Sequence, residues 1–311
     1  MVQLKFPPLF ATAIVAALAS VPSPVAAQAF TPPAGVGAVT AAWQFVDNTG
    51  HRFSDGFFLA RGQSVTTSAL VELDYGVTDR LSTSIGIPYV FAKYTGANPP
   101  ISGLPIDTCR CWNSAFQDLS LSARYRLGDD TWAVTPVVKY DRPSHNYSYV
   151  GEAVVGRNLQ EAQVGVTAGL KLVSILPKAS VQVGYTYAFV EKPLDDIKID
   201  RSNGAFEFGY ALHRLLYVSG TATWQRTHGG LRNGSPSGNP FPPPGELNTA
   251  ERYAQRDRVI RSNYWHAGGG FSYSAGPVDI FVSVTKYISG TDTHNGQAYT
   301  AGTTWYFHVS K

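Results

Sequence analysis

Six ionisable residues stand inside stretches of alternating polarity: Glu72, Asp118, Arg124, Arg126, Lys139 and Glu207. Successive side chains of a β-strand point to opposite faces. Each of the six therefore shares a face with Ser, Thr, Gly and Gln, and with the further charges Asp74, Asp141, Lys171 and Asp279. Charges of both signs lining an enclosed polar surface can tune which solutes pass. The same charges can pair with one another and fill the interior of a closed barrel. Both readings stay open, and because the signs nearly balance, neither predicts a sharp cation or anion preference.

Residues for covalent chemistry are sparse. His266 is the only histidine in the body of an expected strand, facing inward near its loop end, with Ser262 and Asn263 just before it. A hydrolase needs a nucleophile, a base and an orienting group together. His51, His145, His228 and His294 fall in different expected loops, and there is no G-x-S-x-G, no H-E-x-x-H and no phosphate-cradling glycine loop. A barrel enzyme of the lipase or deacylase type stays as an alternative, as does a non-conducting structural or adhesive barrel using Tyr147, Tyr149 and residues 95–116. No cofactor and no metal site is expected. Cys109 and Cys111 are separated by one residue; in an exported chain they suit a small-loop disulfide, and two thiols alone make a poor metal site.

The elements that position these residues follow from composition and period. Of 311 residues, 44% are apolar, 13% aromatic and only 15% charged, against about 25% charged in an ordinary soluble domain. A surface facing hydrocarbon accounts for that shortfall. The net charge of +3 is dispersed and gives no reason to expect nucleic acid. Residues 1–29 read as a cleaved signal: Lys5, an apolar stretch, helix-breaking prolines, then Ala27-Gln28-Ala29, with Val25-Ala26-Ala27 as a second cleavage site. The remainder, 30–311, reads as one barrel domain.

Twelve alternating segments are expected at 36–47, 64–76, 81–94, 117–127, 131–141, 161–173, 179–190, 203–212, 215–226, 263–274, 278–287 and 297–309. Most are near or above the roughly 9–11 residues that carry a tilted strand across a bilayer. Their connections alternate strictly, short ones at 76–80, 128–130, 174–178, 213–214 and 275–277, long ones at 48–63, 95–116, 142–160, 191–202, 227–262 and 288–296. A barrel inserted from the periplasm has small turns on that side and large loops outside. Aromatic residues on the apolar faces gather at strand ends, as membrane interfaces favour. Pro88 and Pro136 fall inside strands of a barrel without edges, so bulges are expected there. The fold expected is thus an all-β, transmembrane, antiparallel up-and-down barrel of about 12 strands, with short periplasmic turns and long extracellular loops.

Strand number places the lumen between filled small barrels and wide porins. The loop 227–262, with its Pro-rich run at 240–244 and its charged 251–261, is expected to be a disordered external loop, with an inward-folded constriction as its alternative. Only six or seven residues separate the signal from the first strand, so no N-terminal plug domain is expected. That argues against gated receptors for iron complexes and plugged fatty-acid channels.

Three stretches carry a family likeness. The run Tyr75-Gly76-Val77-Thr78-Asp79-Arg80-Leu81 followed by Gly86-Ile87-Pro88-Tyr89, and then Asp118-Leu119-Ser120-Leu121-Ser122-Ala123-Arg124-Tyr125, resemble the outer-membrane transporters associated with the meta-pathway of phenol degradation. Gln117 stands where that family usually has glycine before the aspartate. The resemblance covers residues 64–225 and implies an outer-membrane transporter whose cargo includes aromatic or other small organic solutes. The C-terminal Gly302, Trp305 and Phe307 resemble the signal read by the outer-membrane assembly machinery, although four residues follow Phe307. Expected partners are outer-membrane lipid and lipopolysaccharide, that machinery, and a small-molecule solute.

Overall fold

The computed structural model describes residues 29–60, 62–95, 105–232 and 246–309. The expected signal lies outside them except for Ala29. Twelve long strands follow one another among the described residues: β1 (Val36–Arg52), β2 (Gln63–Gly76), β3 (Leu81–Thr95), β4 (Asp118–Tyr125), β5 (Trp132–Pro143), β6 (Glu161–Lys171), β7 (Ala179–Val190), β8 (Ile199–His213), β9 (Leu216–Gly229), β10 (Asn263–Ala275), β11 (Val278–Thr291) and β12 (Thr293–His308). Each pairs antiparallel with its neighbour in sequence, and β12 closes on β1 from Val36↔His308 through Asp47↔Gln297. Closure pairs every edge, which hydrocarbon demands because it offers backbone groups no other partner.

The period-2 pattern sorts the faces. On β1, Thr40, Ala42, Gln44, Val46 and Asn48 are buried inward while Ala41 and Trp43 face out. The outer belt of Val71, Leu73, Ile85, Leu121, Val138, Val164, Val183, Ile280 and Val284 is exposed. Exposed aromatics flank it, with Trp43, Tyr140, Phe189, Phe206 and Trp265 toward the loop end and Tyr125, Trp132, Tyr273 and Trp305 toward the turn end. In water so large an apolar surface would drive association; around a barrel it is the lipid-facing band, with its two girdles.

Several strands outrun the bilayer on the loop side. The long connection expected at 288–296 is a single residue, Asp292, with φ 52°. The flanking residues stay in the sheet: Asn263 and Tyr264 pair with Thr291 and Gly290, and His51 and Arg52 pair with His294 and Thr293. A β-bulge between Asn48 and His51 absorbs the extra residue.

The two prolines behave differently. The β2–β3 register runs unbroken through Leu70↔Pro88, and the shift falls on the other edge, between Gly86↔Ser120 and Tyr89↔Phe116. Gln117 is the extra residue there, its N–H donating to the Pro88 carbonyl at 3.0 Å. At Pro136 there is no bulge. The ladder to β6 continues through Pro136↔Val166, and the β4 side resumes in the same register from Arg124↔Val137 to Leu127↔Val134. Proline lacks the N–H that would bridge the gap opposite Tyr125, while on the other edge of that strand the Arg126 N–H donates to the Arg80 carbonyl at 2.7 Å.

Candidate channel lumen

At the turn end, residues 29–34 lie across the mouth. The Ala29 N–H donates to Gln182 Oε1 at 2.7 Å, and its carbonyl accepts from Thr135 Oγ1 at 2.5 Å. The Phe30 ring lies 5.1 Å beneath the Lys171 ammonium. The segment is then tied back to the wall by Ala34 N–H to Asp79 Oδ1 at 3.1 Å and Gly35 N–H to the Gly76 carbonyl at 2.9 Å. Two glycines make room for it. A Cβ on Gly76 would come within 2.0 Å of the Pro33 carbonyl, and one on Gly169 within 2.7 Å of the Ala29 Cβ. The segment is no plug domain, yet it occupies part of the mouth. Six extended residues reach about 20 Å, enough to run from β1 to β5–β7 without a plug domain.

In the barrel wall, most of the charged candidates have partners close by. Arg124 forms a buried ion pair with Asp74. Glu72 is buried on the same inner face of β2. Arg126, at the turn end, donates to the Asp79 carbonyl at 3.1 Å and approaches Asp130 at 3.4 Å. Lys139 pairs with Asp141 at 3.1 Å, Asp118 accepts from the Tyr147 hydroxyl at 2.6 Å, and Glu207 accepts from the Tyr217 hydroxyl at 3.3 Å. These are separate local contacts on different strands, not a ring of free charges. That geometry favours their role as fillers and locks of the wall.

At the loop end the inward-folded segment is 144–160, not the alternative considered at 227–262. Residues 144–160 fold inward: Ala153 and Val155 are fully buried, and Val155 packs with Tyr147 against Val90 and Ala92 on the inner face of β3. Polar contacts pin the same segment. Ser64 Oγ donates to the Glu152 carbonyl at 2.8 Å, Asn113 Nδ2 to the Ala153 carbonyl at 3.1 Å, and Tyr147 Oη accepts the Asn158 N–H at 3.0 Å. The expectation of a disordered external loop is corrected here: the described part of the connection between β9 and β10 is ordered and covers this inner loop. Two short helices, Ala250–Ala254 and Arg256–Val259, lie there. Gln255 donates to the Tyr149 hydroxyl at 3.1 Å, and Arg258 donates to the Asn158 carbonyl at 2.8 Å while stacking on Tyr149. Beneath, Leu231, Leu247 and Val259 join Leu159, Val190, Ile197 and Ile199 in an apolar cluster. Burial of that cluster orders a segment whose charge alone gave no reason for order. The proline run at 240–244 lies outside the described residues.

Three loops contribute one carboxylate each beside Arg256. Asp107 accepts the N–H groups of Glu152 and Ala153 at 2.8 and 3.0 Å, and Asp257 accepts that of Gly151 at 3.0 Å. Burial, then the neighbouring Asp257 and Asp107, push the Glu152 carboxyl up to about 7 against the pull of Arg256. Burial raises Asp107 and Asp257 as well. Asp107 lies in a short helix, Pro105–Thr108, that leads into a disulfide joining Cys109 and Cys111.

The hydrolase constellation is not assembled around His266. Its ring stacks on Tyr264 at 4.5 Å and meets Tyr287 edge-on at 6.2 Å. Ser262 donates instead to Thr293 at 3.3 Å, and Asn263 Oδ1 accepts the Thr227 N–H at 2.8 Å. Among the described residues, no group of three or more His, Cys, Asp or Glu is arranged to hold a metal ion. At the C-terminal strand, Gly302 pairs with Ala42 and Phe281, Trp305 faces outward, and the Phe307 ring covers Gly37 beside Trp305, 5.4 Å between centroids. Arg157 was missed by the sequence reading. It lies in the infolded loop, and no motif marks it.

No family model matches the chain, and no curated protein does. Solved structures do. An outer membrane channel from Pseudomonas putida F1 superposes with TM-score 0.68 at 12% identity, over 93% of this chain and 100% of that one. The translocator domain of the autotransporter NalP from Neisseria meningitidis gives 0.51 at 11% identity, over 89% and 90%. The NanC porin gives 0.50 at 9% identity, over 86% and 98%. At such identities the likeness is one of fold: an outer-membrane type of closed barrel.

Proposed function

We propose that the chain is an outer-membrane channel for passive passage of small organic solutes, its route narrowed by its own non-strand segments at both ends. The observation that carries this reading is the combination of an apolar exposed belt with a polar interior crossed by residues 29–34 below and 144–160 above. An adhesive or merely structural barrel has no need of two internal straps, one of them seated on glycines of the wall. The structural likeness to an outer membrane channel and to a porin supports the reading, and the resemblance to phenol-pathway transporters suggests aromatic or similarly small cargo. In this reading the chain arrives through a cleaved signal, is folded by the outer-membrane assembly machinery with help from Gly302, Trp305 and Phe307, and contacts lipid and lipopolysaccharide around its belt.

Planar-bilayer recording and liposome swelling with sugars, amino acids and aromatic acids test it. Discrete conductance steps and solute-dependent swelling are expected. A correctly folded protein that gives neither, even with residues 29–34 deleted, refutes the channel reading.

A further inference from the structure

The infolded loop carries one cation that the fold does not use. Arg157 is half-buried, its Nη1 has no hydrogen-bond partner, and no ion pair to it is found among the described residues. Burying a guanidinium without an acceptor is unfavourable unless something arrives to accept from it. The carboxylates of this region are engaged elsewhere. Glu161 pairs with Arg201, Asp118 takes the Tyr147 hydroxyl, Asp141 takes Lys139 and Gln163, and Asp257 takes the Gly151 N–H in the cap. Within electrostatic range of Arg157 are Arg201, Tyr264, His294 and Asp257. Arg201 is neutralised by Glu161, so the free positive charge is that of Arg157, and Tyr264 with the stacked His266 supplies a flat, largely apolar wall.

We propose that Arg157 anchors a subsite in the upper lumen for the carboxylate of a small organic acid bearing a flat ring. The planar guanidinium presents paired N–H donors that match a carboxylate's two oxygens, a geometry that an ammonium lacks. The aromatic wall favours a ring over an alkyl chain of similar size. The inference rests on the channel reading for its purpose, since a solute must reach the lumen to be held there. It does not rest on that reading for its detection.

Benzoate binding is measured by calorimetry on the folded full-length barrel in detergent, for the wild type, Arg157→Gln and Arg157→Lys, with benzyl alcohol as the uncharged probe and inorganic phosphate as competitor. The wild type should bind benzoate. Arg157→Gln should weaken it about tenfold or more, the scale of one lost charge-assisted contact, and leave benzyl alcohol unchanged. Arg157→Lys, which keeps the charge without the fork, should fall between. If the glutamine variant fails to fold, as judged by heat-modifiable migration, the lysine variant carries the test, with a weakening of benzoate affinity of about threefold expected. Wild-type affinity for benzoate in the folded variant overturns the proposal, as does absence of binding to the wild type or displacement by equimolar phosphate. If benzoate binds through Arg157 but bilayers show no conductance, the subsite stands and the passage falls. Conductance with Arg157-independent benzoate binding does the reverse.

Discussion

Replacing Arg124 by methionine tests whether the charged wall is dry. The Arg124 and Asp74 side chains are 4% and 10% exposed and form an ion pair between β4 and β2. Deleting one member leaves a buried charge without its counterion, at a cost of about 3–5 kcal/mol. Replacing both, as Arg124→Met with Asp74→Leu, removes the desolvation penalty together with the attraction and should come within about 1 kcal/mol of the wild type. If bulk water reached this level of the lumen, Asp74 would be hydrated after the single change. The pair would then be worth only about 0–1 kcal/mol, as at a surface. Urea unfolding of the barrel in lipid vesicles, followed by tryptophan fluorescence, separates these cases. With a slope of roughly 2–3 kcal/mol per M, Arg124→Met should lower the midpoint by roughly 1–2 M, and the double variant should restore it. A single variant that unfolds within experimental error of the wild type refutes the inference that these charges act as internal locks.

Three further outcomes follow from the same geometry. Gly169→Val places side-chain atoms where Ala29 lies, its Cβ 2.7 Å from that of Ala29; the turn-end segment should be displaced and single-channel conductance should rise, and unchanged conductance counts against a closing role. Ala29 is bound through both its N–H and its carbonyl, an anchor that the mature chain keeps only if its signal is cleaved ahead of that residue; intact-mass measurement should give Gln28 as first residue, and a start at Phe30 contradicts an anchoring role for Ala29. The Glu152 carboxyl, raised from its ordinary 4.5 to about 7 in the folded loops, holds its proton more tightly there than in the opened chain, so the loop contacts are strongest below about pH 4.5 and weaken as pH rises through 7. Amide exchange over 144–160, corrected for intrinsic rates, should show less protection at pH 8 than at pH 6, and Glu152→Gln should flatten that difference.

The twelve strands were legible because the two faces of each strand meet different solvents. Val71 and Leu73 alternate with Glu72 and Asp74 since lipid lies on one side and the lumen on the other. That signal ends where the membrane ends. From Asn48 to Arg52, and again from Thr293 to Gly296, the chain stays in the sheet but its side chains no longer divide into apolar and polar faces, so the sequence read as loop what the sheet extends. The contents of the lumen were harder to read for a different reason. Chain inside a barrel is bound by shape and by single hydrogen bonds, which have no period. Ala153-Val154-Val155 in an otherwise polar loop was a usable sign of infolding, and Ala29-Phe30 just ahead of Thr31-Pro32-Pro33 was a weaker one. Arg157 carried none, since one arginine in a loop looks like any solvated charge. Its distinction is created only by the fold, which gives nearby carboxylates other partners and leaves this guanidinium facing the interior without one. The wall of such a barrel is therefore written as a pattern. What the wall encloses is written as exceptions to it, and selectivity is to be sought among residues like Arg157 that the pattern does not require.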